Sequence, residues 1–205
     1  MTVYELLSSS PPTLTACCII LGMLIGSFLN VVVYRLPIMM QRDWKSQCCE
    51  YLEIDNLMPD SNESSAKFRV FNLQKPDSHC PLCNHKIKAW ENIPVLSYLA
   101  LGGKCSSCKT KISLRYPSVE FITGMLSGLV GVTYGATWLT LALLLLTWSL
   151  ITLTLIDIDH QLLPDDITIP LIWLGLLVNT LDFGFGVSLR DAVIGAIAGY
   201  LVLWV

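Results

Sequence analysis

Acidic residues and a histidine lie close together directly after a long apolar run. The run covers residues 138–156, contains no charged residue and is long enough to cross a bilayer. Ionisable groups are costly in or beside hydrocarbon, so carboxylates at this position indicate a functional site. A hydrophilic loop that only ends a helix is the competing interpretation, because polar loops must connect spans. The ionisable residues of the cluster are Asp157, Asp159, His160, Asp165 and Asp166.

Carboxylates in such a place could hydrolyse a peptide bond. In an aspartic protease one carboxylate activates water while a second, protonated one polarises the scissile carbonyl. Asp157 is the catalytic candidate because it directly follows the apolar run. On a continued helix Asp159 would point about 200° away from it, whereas His160 would share its face. Asp165 and Asp166 are interpreted as acidic residues that begin the next helix, so no second catalytic carboxylate is obvious.

Two cysteine pairs form a candidate metal site. Cys80 and Cys83 make one C-x2-C motif, Cys105 and Cys108 make the other, and 21 residues separate the pairs. This is just beyond the usual spacing of about 15 to 20 residues for a zinc site. Four thiolates suit a structural, tetrahedral Zn²⁺ with no open coordination position. A thioredoxin-like redox pair and a structural disulfide are the alternatives.

The residues around the cysteine pairs favour tight turns. Gly102, Gly103 and Asn84 can adopt the backbone conformations that such turns need. His79 and His85 are expected to be solvent-exposed neighbours, since four cysteines already fill the coordination shell. The other four cysteines receive no metal or redox role: Cys17, Cys18, Cys48 and Cys49.

The composition indicates a membrane protein. The chain is 53% hydrophobic and 14% charged, whereas soluble domains have about 25% charged residues. We therefore predict an all-α polytopic membrane protein with about five transmembrane helical segments. The apolar segments are 14–36, 119–132, 137–156, 167–181 and one that begins after Asp191.

The predicted domain organisation follows from these segments. A first transmembrane helix covers 14–36 and ends at Pro37. A polar insert covers 37–115 and contains the tetracysteine zinc module at 80–108. A transmembrane core covers 117–205. Within the first helix Gly22, Gly26 and Asn30 lie four residues apart on one face, which suits close contact with another helix.

The distribution of basic residues predicts the orientation. Of the 13 Lys and Arg residues, 12 lie between Arg35 and Arg115. Basic residues beside spans mark the cytoplasmic side, so the insert is expected there. Counting spans from the insert then places Asp157 at the cytoplasmic membrane face.

Four motifs together resemble the bacterial type IV prepilin peptidases, which are bifunctional leader peptidases and N-methyltransferases. The first is GSFLNVVVYRLP at 26–37, and the second is the tetracysteine insert with NIPVLSY at 92–98. The others are ISLRYPSVE at 112–120 and IDIDHQLLPD at 156–165. The match covers nearly the whole chain, in order.

The resemblance implies an inner-membrane aspartic protease that removes basic leader peptides from prepilins and type II secretion pseudopilins. It also implies methylation of the new N-terminal residue with S-adenosylmethionine. By motif position Asp157 corresponds to the first catalytic aspartate and the four cysteines to the zinc ligands. We expect the lipid bilayer, but no nucleic acid, as a further partner.

The second aspartate of the family belongs to a Gly-x-Gly-Asp motif that this sequence does not contain. The sequence therefore predicts a chain truncated at its C-terminus. No glycine-rich S-adenosylmethionine motif is visible, so no methyltransferase residue is assigned. The competing functions are a non-enzymatic membrane scaffold with a zinc-ribbon interaction module, an inactive fragment, and a membrane thiol oxidoreductase.

Overall fold

The computed structural model describes residues 10–53, 71–181 and 186–204. Six α-helices and one 3-10 turn at Ala89–Asn92 form the described part of the chain, which contains no strand and only two isolated β-bridges. The prediction of an all-α fold is confirmed. The helices are α1 Pro11–Tyr51, α2 Leu96–Ala100, α3 Arg115–Tyr134, α4 Trp138–His160, α5 Asp165–Thr180 and α6 Leu189–Trp204.

The helix α1 does not end at Pro37. It continues to Tyr51, so the predicted helix end was wrong, although proline removes one helical hydrogen bond. Tertiary packing overrides this cost: Pro37 is fully buried. Beyond it the Arg42 guanidinium stacks 4.4 Å from the centroid of the Phe71 ring, which joins the extended helix to the insert.

Small residues let α1 and α3 approach closely, as predicted for Gly22 and Gly26. A Cβ atom at Gly26 would lie 2.8 Å from the Cα atom of Glu120, and one at Gly22 would lie 2.8 Å from the carbonyl oxygen of Thr123. Asn30, on the same face, donates from Nδ2 to the Tyr116 carbonyl oxygen at 3.2 Å. The face that the sequence singled out is therefore a helix–helix interface.

The described helices differ in their capacity to span a bilayer. By length and composition α1 and α4 qualify, with mean hydropathies of 2.4 and 2.2 in their most apolar windows. The helices α5 and α6 have 16 residues each, and about 20 are needed to cross the hydrocarbon. Five helices, α1 and α3 to α6, lie at the five predicted positions. Of these, α1 and α4 meet the criterion for a membrane span.

Candidate active site and metal centre

The four predicted cysteines meet at one point. Their Sγ atoms all lie within 4.8 Å of one another. The Sγ atoms of Cys80 and Cys108 are 3.7 Å apart, and those of Cys83 and Cys105 are 3.9 Å apart. A tetrahedral site with Zn–S bonds of about 2.3 Å separates its sulfurs by roughly 3.8 Å, so the donor set fits a zinc ion. All eight cysteines are free thiols.

The two C-x2-C motifs form the same hydrogen-bonded turn. The Cys80 N–H donates to the His85 carbonyl oxygen at 2.9 Å, and the Cys105 N–H donates to the Thr110 carbonyl oxygen at 2.8 Å. The amides of Asn84 and Lys109 then donate back to Cys80 and Cys105, at 3.0 and 3.1 Å. This repeat was missed in the sequence, because Lys109 has a left-handed φ of 59° but is not a typical turn residue.

Glycines and asparagine take the turn conformations that the sequence predicted. Asn84, Gly102 and Gly103 have φ values of 55°, 61° and 65°. Gly103 also has no space for a side chain, since a Cβ atom would lie 2.7 Å from the Tyr98 ring. The ring lies over this turn, and its hydroxyl donates to the Ile112 carbonyl oxygen at 3.4 Å.

Hydrogen bonds stabilise thiolate at two of the four cysteines. The Thr110 hydroxyl and backbone N–H lower the pKa of Cys108 to about 6. The backbone N–H groups of Cys83 and Leu82 lower the pKa of Cys80. At Cys83 the His85 N–H acts in the same direction, but burial and the other sulfurs outweigh it and raise the pKa to about 11. Four adjacent thiolates repel one another, so a bound cation would be needed for all of them to ionise together.

The two histidines lie outside the ligand set. His79 is exposed, as predicted, and its Nδ1 atom lies 3.0 Å from the Asp77 carbonyl oxygen. His85 is half-buried and pairs with Glu91 at 3.4 Å. The Lys88 N–H, the Ser106 side chain and His85 lower the pKa of Glu91. Glu91 therefore links the two cysteine turns.

Buried charged residues attach the insert to the helices. Arg35, only 7% exposed, donates to the carbonyl oxygens of Asn72 at 3.0 Å and Pro76 at 2.6 Å. Glu120, 9% exposed, accepts the Val95 N–H at 2.8 Å. Neither contact was predicted from the sequence. Glu120 could have been found, because an isolated carboxylate in an apolar run indicates a specific partner.

Asp157 is exposed at the end of α4, directly after Ile156, which is fully buried. Its side chain forms no hydrogen bond or ion pair within residues 10–53, 71–181 and 186–204. The helix ends at His160, and the N–H of the C-cap residue Gln161 still bonds the Asp157 carbonyl oxygen at 2.8 Å. The left-handed φ of 53° at Gln161 then turns the chain out of the helix. The carboxylate is thus held on a rigid helix end and is free to bind another group.

The other carboxylates of the cluster are used in different ways. Asp159 forms a two-pronged ion pair with Arg115 at the start of α3, with 2.9 Å between Oδ1 and one guanidinium nitrogen. Asp165 and Asp166 begin α5 and are exposed, as predicted. The Thr168 hydroxyl donates to Asp165 at 3.4 Å. The pairing of Asp159 was not predicted, because its partner lies 44 residues away in the chain.

Comparison with known proteins identifies relatives along the whole chain. Residues 20–134 match the bacterial peptidase A24 N-terminal domain, and residues 144–205 match the type IV leader peptidase family. A prepilin leader peptidase/N-methyltransferase of Stutzerimonas stutzeri is 54% identical over all of this chain and 67% of its own length. The protein of that name in Pseudomonas aeruginosa is 52% identical with the same coverage.

A third prepilin leader peptidase/N-methyltransferase, from Neisseria gonorrhoeae, is 55% identical over 97% of this chain and 66% of its own length. The chain thus spans about two thirds of the length of these relatives. No solved structure matches. The family that the four sequence motifs indicated is confirmed: the chain belongs to the type IV leader peptidase family.

Proposed function

We propose that this chain belongs to a membrane aspartic endopeptidase that cleaves basic leader peptides from type IV prepilins and type II secretion pseudopilins. The observation that carries the proposal is the position of Asp157 in the last turn of the apolar helix α4. Its carboxylate is exposed and has no partner in the described chain. Three relatives are named prepilin leader peptidase/N-methyltransferase, which supports the same substrate class.

Asp157 would act as one carboxylate of a catalytic pair. Its position at the end of α4 suits a substrate whose apolar stem lies in the bilayer while its basic leader remains in water. The ionised carboxylate would take a proton from the attacking water, and a protonated second carboxylate would polarise the scissile carbonyl. The resemblance assigns that second group to a Gly-x-Gly-Asp motif, which residues 1–205 do not contain.

The proposed topology has five membrane segments and a cytoplasmic insert. Residues 71–115 of the insert carry seven basic and two acidic residues, which favours the cytoplasmic face of the inner membrane. Residues Cys80, Cys83, Cys105 and Cys108 would hold one Zn²⁺, and their separations support this. An all-thiolate ion has no position for water or substrate, so the metal would stabilise the insert.

The name of the relatives also suggests N-methylation of the new N-terminus with S-adenosylmethionine. The donor would supply an electrophilic methyl group, and the substrate amine would be the nucleophile. No residue of the described chain is assigned to this cofactor.

The peptidase proposal is tested by cleavage of a prepilin in membranes, with the protein expressed from its native reading frame. We expect Asp157→Asn to abolish cleavage, because the amide cannot accept a proton from water. The matched control is Asp166→Asn, which removes an exposed carboxylate of the same cluster and should leave cleavage intact. Normal cleavage by Asp157→Asn would refute the assignment of Asp157, whereas no cleavage by the parent protein would favour the membrane scaffold.

A further inference from the structure

The ion pair between Arg115 and Asp159 connects the start of α3 to the last turn of α4. Arg115 is the last residue of the insert and the first residue of α3, while Asp159 lies in the last turn of α4, two residues after Asp157. One terminal guanidinium nitrogen of Arg115 donates to Oδ1 of Asp159, and the other donates to Oδ2. Such two-pronged pairs fix orientation as well as distance.

Stabilisation of the helix dipoles does not explain this ion pair. A helix favours negative charge at its N-terminus and positive charge at its C-terminus. Here Arg115 places positive charge at the start of α3, and Asp159 places negative charge at the end of α4. Each charge is on the unfavourable end, so local helix stability would select against both residues.

The pair is also too exposed to be a strong stabiliser of the fold. The side chains of Arg115 and Asp159 are 43% and 27% exposed, and solvent-exposed ion pairs contribute little to stability. What the pair does define is the position of the last turn of α4. The Gln161 N–H closes that turn on the Asp157 carbonyl oxygen, so a displacement of Asp159 would also displace Asp157.

We propose that Arg115 and Asp159 are positioning residues that hold the Asp157 turn against α3 and the zinc insert. The inference rests on the proposed catalytic role of Asp157. It assigns a function to a carboxylate that sequence reasoning treated as an ordinary loop residue. Small displacements of a reacting group have large kinetic effects, up to about 100-fold for 1 Å.

The test measures prepilin cleavage, with kcat and KM determined separately and each variant assayed at its own pH optimum. We expect Arg115→Gln and Asp159→Asn each to lower kcat about 10-fold or more, with KM within about twofold. The double variant should be no slower than either single one, because both remove the same contact. The exchanged pair, Arg115→Asp with Asp159→Arg, should recover most of kcat.

The matched control is Asp77→Asn, which removes the exposed Lys86–Asp77 ion pair at 2.7 Å and should leave kcat unchanged. The midpoint of thermal unfolding for Asp159→Asn should stay close to that of the parent chain, since an unfavourable charge at a helix end is removed as well. A fall in kcat that parallels a fall in thermal stability would overturn the proposal. Unchanged kcat, or no recovery in the exchanged pair, would also overturn it.

Amide hydrogen exchange provides a readout that does not depend on activity. In Asp159→Asn we expect faster exchange at residues 157–161 and unchanged exchange at the α1–α3 interface. Unchanged exchange at 157–161 would overturn the proposal. The role of Asp157 is tested separately, because Asp157→Asn leaves the ion pair intact and must abolish cleavage. If Asp157→Asn is inactive while Arg115→Gln is fully active, only the positioning role fails.

Discussion

The two ends of the described chain use glycine in opposite ways. In the first region, formed by α1, the insert and α3, Gly22 and Gly26 have no space for a Cβ atom. In the second region, formed by α5 and α6, Gly175, Gly195 and Gly199 have no atom of the described chain within 4 Å of such a Cβ. Similar small residues therefore mark a formed helix interface in one region and an open surface in the other.

The burial of charged side chains also differs between the two regions. In the first region Arg35 and Glu120 are buried and bonded to backbone groups of the insert. In the second region Asp165 and Asp166 are exposed, and α5 has no buried residue. Asp157 lies between the two regions. The first region therefore buries and pairs its charged groups, whereas the exposed carboxylates of the second region are available for interactions with other molecules.

The largest expected effect is loss of the metal site. We predict that Cys80→Ser removes one of four ligands and releases the zinc, because binding of a structural zinc supplies about 10 kcal/mol or more of folding free energy. Metal analysis should fall from one zinc per chain to almost none. Amide exchange should accelerate in residues 78–112 and remain unchanged in α5 and α6.

The matched control for this variant is Cys48→Ser, which lies outside the metal site and should retain the full zinc content. Full zinc content and unchanged exchange in Cys80→Ser would contradict the proposed metal centre. Labile thiols without metal would instead favour an oxidoreductase.

A methyl group at the α1–α3 interface should have the next largest effect. Gly26→Ala places Cβ 2.8 Å from the Glu120 Cα atom, and the backbone cannot move without separating the helices. We expect a loss of about 2 kcal/mol in the free energy of unfolding, typical of overpacking. Unfolding by a denaturing detergent would measure it.

The same change in the second region should have the opposite sign. In Gly199→Ala the added methyl group meets no neighbouring atom of the described residues within 4 Å, and alanine stabilises a helix by up to about 1 kcal/mol relative to glycine. Equal destabilisation by Gly26→Ala and Gly199→Ala would remove the distinction between the two regions.

The contact between Glu120 and the insert should contribute less to the free energy of unfolding than the α1–α3 interface does. Glu120→Ala leaves the Val95 N–H without its acceptor, and we expect a loss of about 1 kcal/mol. Glu120→Gln is the control, because its amide oxygen can still accept that N–H. Exchange of the Val95 amide should therefore accelerate in Glu120→Ala and change less in Glu120→Gln.

Local patterns were sufficient to predict much of this structure. The apolar runs predicted the helices, the spacing of Gly22 and Gly26 predicted the interface, and the two C-x2-C motifs predicted the cluster of four cysteines. Each of these signals is contained in a short stretch of sequence, so no knowledge of the tertiary fold is needed to recognise it.

Features that depend on distant contacts were not predictable. The continuation of α1 through Pro37 depends on burial by other elements, against the local preference of proline. The partners of Arg35 lie 37 to 41 residues away, and Asp159 pairs across 44 residues. Sequence reasoning reached the catalytic candidate but missed the residue that holds it in place.

The central claim is that Asp157, among the clustered carboxylates, performs the chemistry. Its most direct test is the rate of prepilin cleavage by Asp157→Asn, Asp159→Asn and Asp166→Asn, measured in membranes at matched protein levels. We predict background cleavage for Asp157→Asn, a rate lowered about 10-fold or more for Asp159→Asn, and a normal rate for Asp166→Asn. Normal cleavage by Asp157→Asn would show that another group performs the chemistry.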